Sequence, residues 1–136
     1  MQPLDKSTLF SIFETGDEEV YKEYVQEDEL KNPFVLMGMV LNGLQSYNLM
    51  DTMYRRNYPK EYKKVSTDIK YRFYTRLYGY LCNINSDSFE TIYTIGISYE
   101  KDNVFLGLDE MRIYFEYIEE YEKCAVINKF IKLLIE

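Results

Sequence analysis

A mainly α-helical, compact bundle of about five helices, with at most one short β-hairpin near residues 95–107, is the fold class this sequence predicts. Three observations carry that prediction. Apolar residues recur at intervals of three and four along most of the chain. The three prolines, Pro3, Pro33 and Pro59, stand at positions that suit helix starts, where the missing N–H is one the helix would not have bonded. No repeat, low-complexity tract or Pro/Gly-rich linker divides the 136 residues, so they read as one domain, 1–136.

The elements follow in order. Thr8 to Phe13 is a short apolar segment closed by Gly16, and Asp17, Glu18 and Glu19 then open a second helix with acids where the helix dipole favours them. Asn32–Pro33 is a cap and first-turn pair, and it introduces a central helix carrying Phe34, Leu36, Met37, Val40, Leu41, Leu44 and Tyr47 towards Tyr54. Pro59 repeats the signal. Behind it Val65, Ile69, Phe73, Leu77 and Leu81 form one stripe at intervals of four, ending near Asn83. Asp109 to Ile135 reads as one long helix or two shorter ones. Residues 88–107 are ambiguous: Asp87 and Glu90 have capping-box spacing, whereas Thr91 to Ile97 is dense in β-branched residues and Lys101-Asp102-Asn103 suits a hairpin turn, so the start stays open and the end, around Val104 to Leu106, reads as extended.

Composition narrows the function. With 46% hydrophobic and 17% aromatic residues the chain can bury a core, which separates it from acidic disordered segments. It has no His, which removes the usual base near neutral pH, the commonest zinc ligand, and the Ser-His and Cys-His nucleophile pairs. No Gly-rich phosphate cradle and no D-x-D-x-D-G loop is present. No enzyme activity, cofactor or metal is therefore expected. Cys82 and Cys124 are too few for a disulfide scaffold and read as reduced core residues. The longest mainly apolar stretch, Phe34 to Leu44, falls short of the about 20 residues a membrane helix needs. The first residues lack a secretory pattern, so a cytoplasmic location away from membranes is expected. The wealth of Tyr (15) and Phe (8) with a single Ala suits an AT-rich genome, that of a bacterium or of its phage or mobile element.

Charge is segregated. Residues 1–32 carry a net charge of −6 and residues 55–76 carry +6, within a chain of net −7. The two segments either pair internally or mark separate partner surfaces. On the basic helix, Lys60, Lys63, Lys64, Lys70, Tyr71, Tyr74 and Tyr78 lie opposite the apolar stripe. Lysines interleaved with tyrosines suit single-stranded nucleic acid, protein hot spots, or plain burial beneath another helix. Overall acidity argues against nonspecific duplex binding. Arg76 falls inside the apolar stripe, so its guanidinium calls for a buried ion pair or a snorkelled exit. Gly38, Gly43 and Gly79 read as close-packing positions.

Tyr121-Glu122-Lys123-Cys124-Ala125-Val126-Ile127, followed by Ile131 and Leu134, resembles the second half of the UVR helical hairpin of bacterial excision-repair proteins, a protein-docking element. The family's Arg-Asp pair is replaced by Asn128-Lys129, and no function is carried over from it.

By subtraction, the sequence predicts a small acidic protein-interaction module of the inhibitor, immunity or counter-defence type. Its contact is either the acidic face (Asp17, Glu18, Glu19, Glu23, Glu27) or the Lys/Tyr face (Lys60, Lys63, Lys64, Tyr71, Tyr74, Tyr78). A nucleic-acid factor, also drawing on Arg72, and a homo-oligomeric subunit of a larger assembly such as a phage particle are the competing readings.

Overall fold

The computed structural model describes residues 32–85 and 87–135, and among these it has five helices and no strand. The two N-terminal segments predicted from the sequence, with Asp17, Glu18, Glu19, Glu23 and Glu27, lie outside the described residues.

Helix α1, Pro33–Asn57, begins as its cap residues dictate: the Asn32 side chain accepts the Phe34 N–H at 2.8 Å and Pro33 occupies the first turn. Arg55 and Arg56 sit in its last turn, where cations complement the dipole. Tyr58 then turns out of helical geometry because Pro59 follows it, and α2, Pro59–Cys82, runs back antiparallel along α1. The close approach needs Gly43, where a Cβ would lie 2.6 Å from a Leu77 methyl. Gly38 similarly clears the Tyr99 ring, but Gly79 is exposed with nothing within 4 Å, so the close-packing reading fails there.

The hairpin near residues 95–107 is not formed. Ser88 caps α3, Phe89–Ser98, by accepting the Thr91 N–H, and the β-branched run is helical because its buried residues, Ile92, Ile95 and Gly96, recur at helical and not alternating spacing. Gly96 lets α3 rest against Leu134. Lys101-Asp102-Asn103, read as a turn, is instead the first turn of α4, Lys101–Tyr117. The real break lies at Tyr99–Glu100, where Glu100 adopts φ 64°, ψ 119°. A second break at Glu119, φ 63°, separates α4 from α5, Tyr121–Ile135, so the C-terminal segment is two helices.

Two antiparallel hairpins, α1–α2 and α4–α5, thus enclose one core, with α3 packed on α5 and touching α1. The Tyr99 hydroxyl donates to the Phe34 carbonyl at 2.5 Å and ties the α3–α4 bend to the first turn of α1. The face of α5 that resembles the UVR hairpin buries Cys124, Ile127, Phe130, Ile131 and Leu134 in this chain's own core. Cys124 is buried as expected, its thiol directed at the Arg112 carbonyl, whereas Cys82 is exposed at the end of α2 and corrects the core reading for that residue.

Buried phenols need acceptors, and the first is Asp51. It accepts Tyr62 Oη at 2.7 Å, Tyr47 Oη at 3.4 Å and Arg55 Nε at 3.0 Å, while Tyr62 and Tyr47 are 0% and 2% exposed. Replacing Asp51 by Ala removes the acceptor of two buried hydroxyls and is expected to cost about 1–3 kcal/mol in urea unfolding. Lys129→Ala, which breaks only the exposed Lys129–Asp87 pair, is expected to stay within about 0.5 kcal/mol of wild type. Glu100→Gly relieves a backbone conformation that favours glycine and is expected to stabilise by about 1 kcal/mol in the same assay.

Candidate functional site

The side of α2 that the sequence offers as a Lys/Tyr face divides into two parts in the fold. Its first half leaves Lys60, Lys63 and Lys64 exposed, and none of them forms an ion pair with another described residue. Its second half is covered by α4 and α5. Tyr74 is 1% exposed and its ring lies 4.6 Å from that of Tyr114, 5.5 Å from Tyr47 and 6.5 Å from Phe115. Its hydroxyl donates to Glu110 Oε1 at 3.1 Å. Tyr78 is half-buried, edge-on to Phe115 at 5.7 Å. Tyr71 is 40% exposed and its hydroxyl points to Glu120 at 3.4 Å. Burial beneath another helix is therefore the fate of Tyr74, whose ring is closed to stacking with a base, and in part that of Tyr78. Arg76 is half-buried and donates from Nε to the Tyr80 hydroxyl at 3.1 Å.

Between α2 and the outer side of α4 runs an open groove of about 530 Å³. Its floor is the Tyr74–Tyr114 pair, and Lys70 overhangs it with Nζ 5.4 Å and 5.1 Å from the two ring centroids, a cation–π contact with both. Its far wall is α4, where Leu106, Ile113 and Tyr117 are 63%, 53% and 85% exposed. A second depression of about 380 Å³ adjoins it at Leu106 and Glu110 and reaches Gln45, Asn48 and Tyr99. The acids of the groove are already engaged: Glu110 Oε1 also accepts Asn48 Nδ2 at 3.0 Å, and Asp109 Oδ1 accepts Arg112 Nε and Nη2 at 3.0 Å and 2.6 Å. Lys70 forms no ion pair among the described residues, and Glu110, bonded by an amide and a phenol, forms none either, so the groove carries one unpaired charge of each sign.

The groove is lined mainly by apolar and aromatic side chains. Among the described residues no group of three acids or cysteines is placed to hold a metal ion, and no helix is long and apolar enough to cross a membrane. The groove is hidden in the sequence because the C-terminal helical segment reads as starting at Asp109 and Val104 to Leu106 as extended, whereas the helix starts at Lys101 and carries Leu106. The available signal was an excess of apolar residues: Val104, Leu108, Met111 and Phe115 already supply a buried face, so Leu106, Ile113 and Tyr117 belong to another one.

No protein-family model, curated protein or solved structure matches this chain. The functional reading therefore rests on the groove itself.

Burial also sets the alkaline limit of this region. The phenols of Tyr114 and Tyr78 are pushed up to about 12, chiefly by burial, with Glu120 adding to the shift at Tyr114 and Cys82 at Tyr78. Tyr47, Tyr62 and Tyr74 move further in the same direction, for burial first and then for their carboxylate neighbours. Each raised phenol keeps its proton in the folded chain while the unfolded chain releases it near pH 10. The stabilisation is whole below about pH 10 and is lost as pH rises through the folded values. Urea midpoints are expected to fall continuously from pH 10 to pH 12, with tyrosinate absorbance lagging behind that of the unfolded chain; a flat midpoint over this range contradicts the burial of these rings.

Proposed function

We propose that the chain is a protein-interaction module that acts by binding a protein partner through the groove and the outer face of α4, in the manner of an inhibitor, immunity or counter-defence protein. One observation supports this reading above the others: three large apolar side chains, Leu106, Ile113 and Tyr117, stand exposed beside a groove, although the helix that bears them has a complete buried face of its own. Such clustered apolar exposure marks interaction surfaces, whereas single exposed residues do not. The aromatic and cationic neighbours, Tyr71 and Lys70, fit the residue types that dominate hot spots more than the solvated acids elsewhere do. The net charge of −7 favours fast, steered encounter with a basic partner surface.

The competing nucleic-acid reading keeps Lys60, Lys63 and Lys64 as exposed cations, but only Tyr71 of its three tyrosines retains a substantially open ring. Without aromatic platforms the lysines supply a salt-dependent, sequence-blind attraction only.

The test is recovery of the tagged protein from its host, with and without nuclease, beside a Leu106→Asp/Ile113→Asp variant whose helical circular dichroism is checked first. A stoichiometric protein partner is expected that survives nuclease and that the variant loses by at least about tenfold in affinity, as hot-spot truncation does. A partner retained equally by the variant contradicts the α4 face as the contact, and material lost on nuclease treatment supports the lysine surface of α2 instead.

A further inference from the structure

The lysines of α2 that the protein-binding face leaves unused gather at one end of the molecule. Lys60, Lys63 and Lys64 are exposed in the first turns of α2 and pair with no described residue, and Arg56 is exposed across the turn at the end of α1. The acids nearby offset little of this charge. Asp51 is paired with Arg55 and Asp68 with Arg72, which leaves Glu61 against four cations. Most of the chain's acidity lies elsewhere in the sequence, since residues 1–32 hold −6 of its net −7.

Helical geometry adds an aromatic ring to this surface. Lys60, Lys64 and Tyr71 are four and then seven residues apart, so they share one side of α2 over about 16 Å, with Lys63 beside the line. Tyr71 is 40% exposed, and the carboxylate that its hydroxyl meets, Glu120, is already paired with Lys123 at 2.7 Å. Lysine is depleted in protein interfaces relative to the rest of the surface, whereas a row of ammonium groups is what neutralises a phosphate backbone. An open ring in line with that row offers its face to one base.

We propose that this side of α2 is a contact for single-stranded nucleic acid, with phosphates on Lys60, Lys63 and Lys64 and one base stacked on Tyr71. It is a second surface beside the protein-binding face of α4, with Tyr71 at the border of the two, and does not depend on that face. Three lysines and one ring read no sequence, so the contact takes any strand whose backbone can follow the row.

Fluorescence anisotropy of a labelled oligothymidylate of about 15 nucleotides, titrated with the full chain at several salt concentrations, tests this. Three phosphate contacts predict that log affinity falls against log salt with a slope of about −2. Lys60→Gln/Lys63→Gln/Lys64→Gln is expected to weaken binding by about tenfold or more at the lowest salt and to bring the slope near zero. Tyr71→Ala is expected to cost about fivefold or more with the slope unchanged. Lys101→Gln/Lys129→Gln/Lys132→Gln, an equal change of charge at exposed positions on α4 and α5, is expected to stay within about threefold of wild type. Helical circular dichroism is checked for every variant. A wild type that does not bind at about 25 mM salt overturns the proposal. So does an equal loss in the α4 and α5 control, which would make the attraction one of bulk charge. A polyglutamate peptide of matched charge that competes as well as the oligonucleotide also overturns it, and assigns the lysines to an acidic protein surface instead.

Discussion

The Tyr74 side chain is the point on which the two helical hairpins depend. Its ring touches Tyr47 of α1 and both Tyr114 and Phe115 of α4, and its hydroxyl is held by Glu110. A phenol placed at such a junction has two requirements: apolar neighbours for the ring and an acceptor for the hydroxyl, since an unmet polar group there would cost about as much as the ring's burial returns. The fold answers with carboxylates at the edges of the core. Asp51 serves Tyr62 and Tyr47, Glu110 serves Tyr74, and Glu120 faces Tyr71. Part of the chain's acidity is thus structural, an outcome of building a core from tyrosine.

The same junction sets what remains on the surface. Because α2 meets α4 through long aromatic side chains, the helices stand apart and leave a groove floored by rings instead of closing tightly. Lys70 settles over that floor, and Glu110 and Asp109 are occupied by Tyr74, Asn48 and Arg112. Helix α4 is then apolar on two sides, one buried against the core and one open. Packing therefore turns part of the α2 face, where the lysines and tyrosines alternate in sequence, inwards and leaves the outer face of α4 open.

Much of the bundle was legible because its signals are local. Asn32–Pro33, Pro59 and the Ile69-Phe73-Leu77-Leu81 stripe fix two helices through caps and periodicity that need no tertiary context. The stretch from Thr91 to Asn103 was ambiguous because β-branched residues and a polar triplet satisfy both strand and helix rules, and packing against Leu134 decides between them. The site was less legible. Helical spacing places Tyr74 and Tyr78 with the lysines, and only the position of α4 shows that those rings turn inwards while Lys60, Lys63 and Lys64 stay outside. Leu106 was hidden by an element boundary, since a helix starting at Lys101 behind a left-handed Glu100 has no cap residue to announce it.

Tyrosine-specific nitration of the native protein, mapped residue by residue by mass spectrometry, tests the central claim that Tyr74 and Tyr62 of α2 serve the core while Tyr117 of α4 faces outwards. Tyr117, Tyr121 and Tyr93, at 85%, 61% and 58% exposure, are expected to react readily, and Tyr74, Tyr62 and Tyr47 to stay unmodified until the chain is unfolded. Modification of Tyr74 in the native state at a rate comparable with that of Tyr117 would contradict the account, because it would return Tyr74 to an open Lys/Tyr face and remove the floor from the groove.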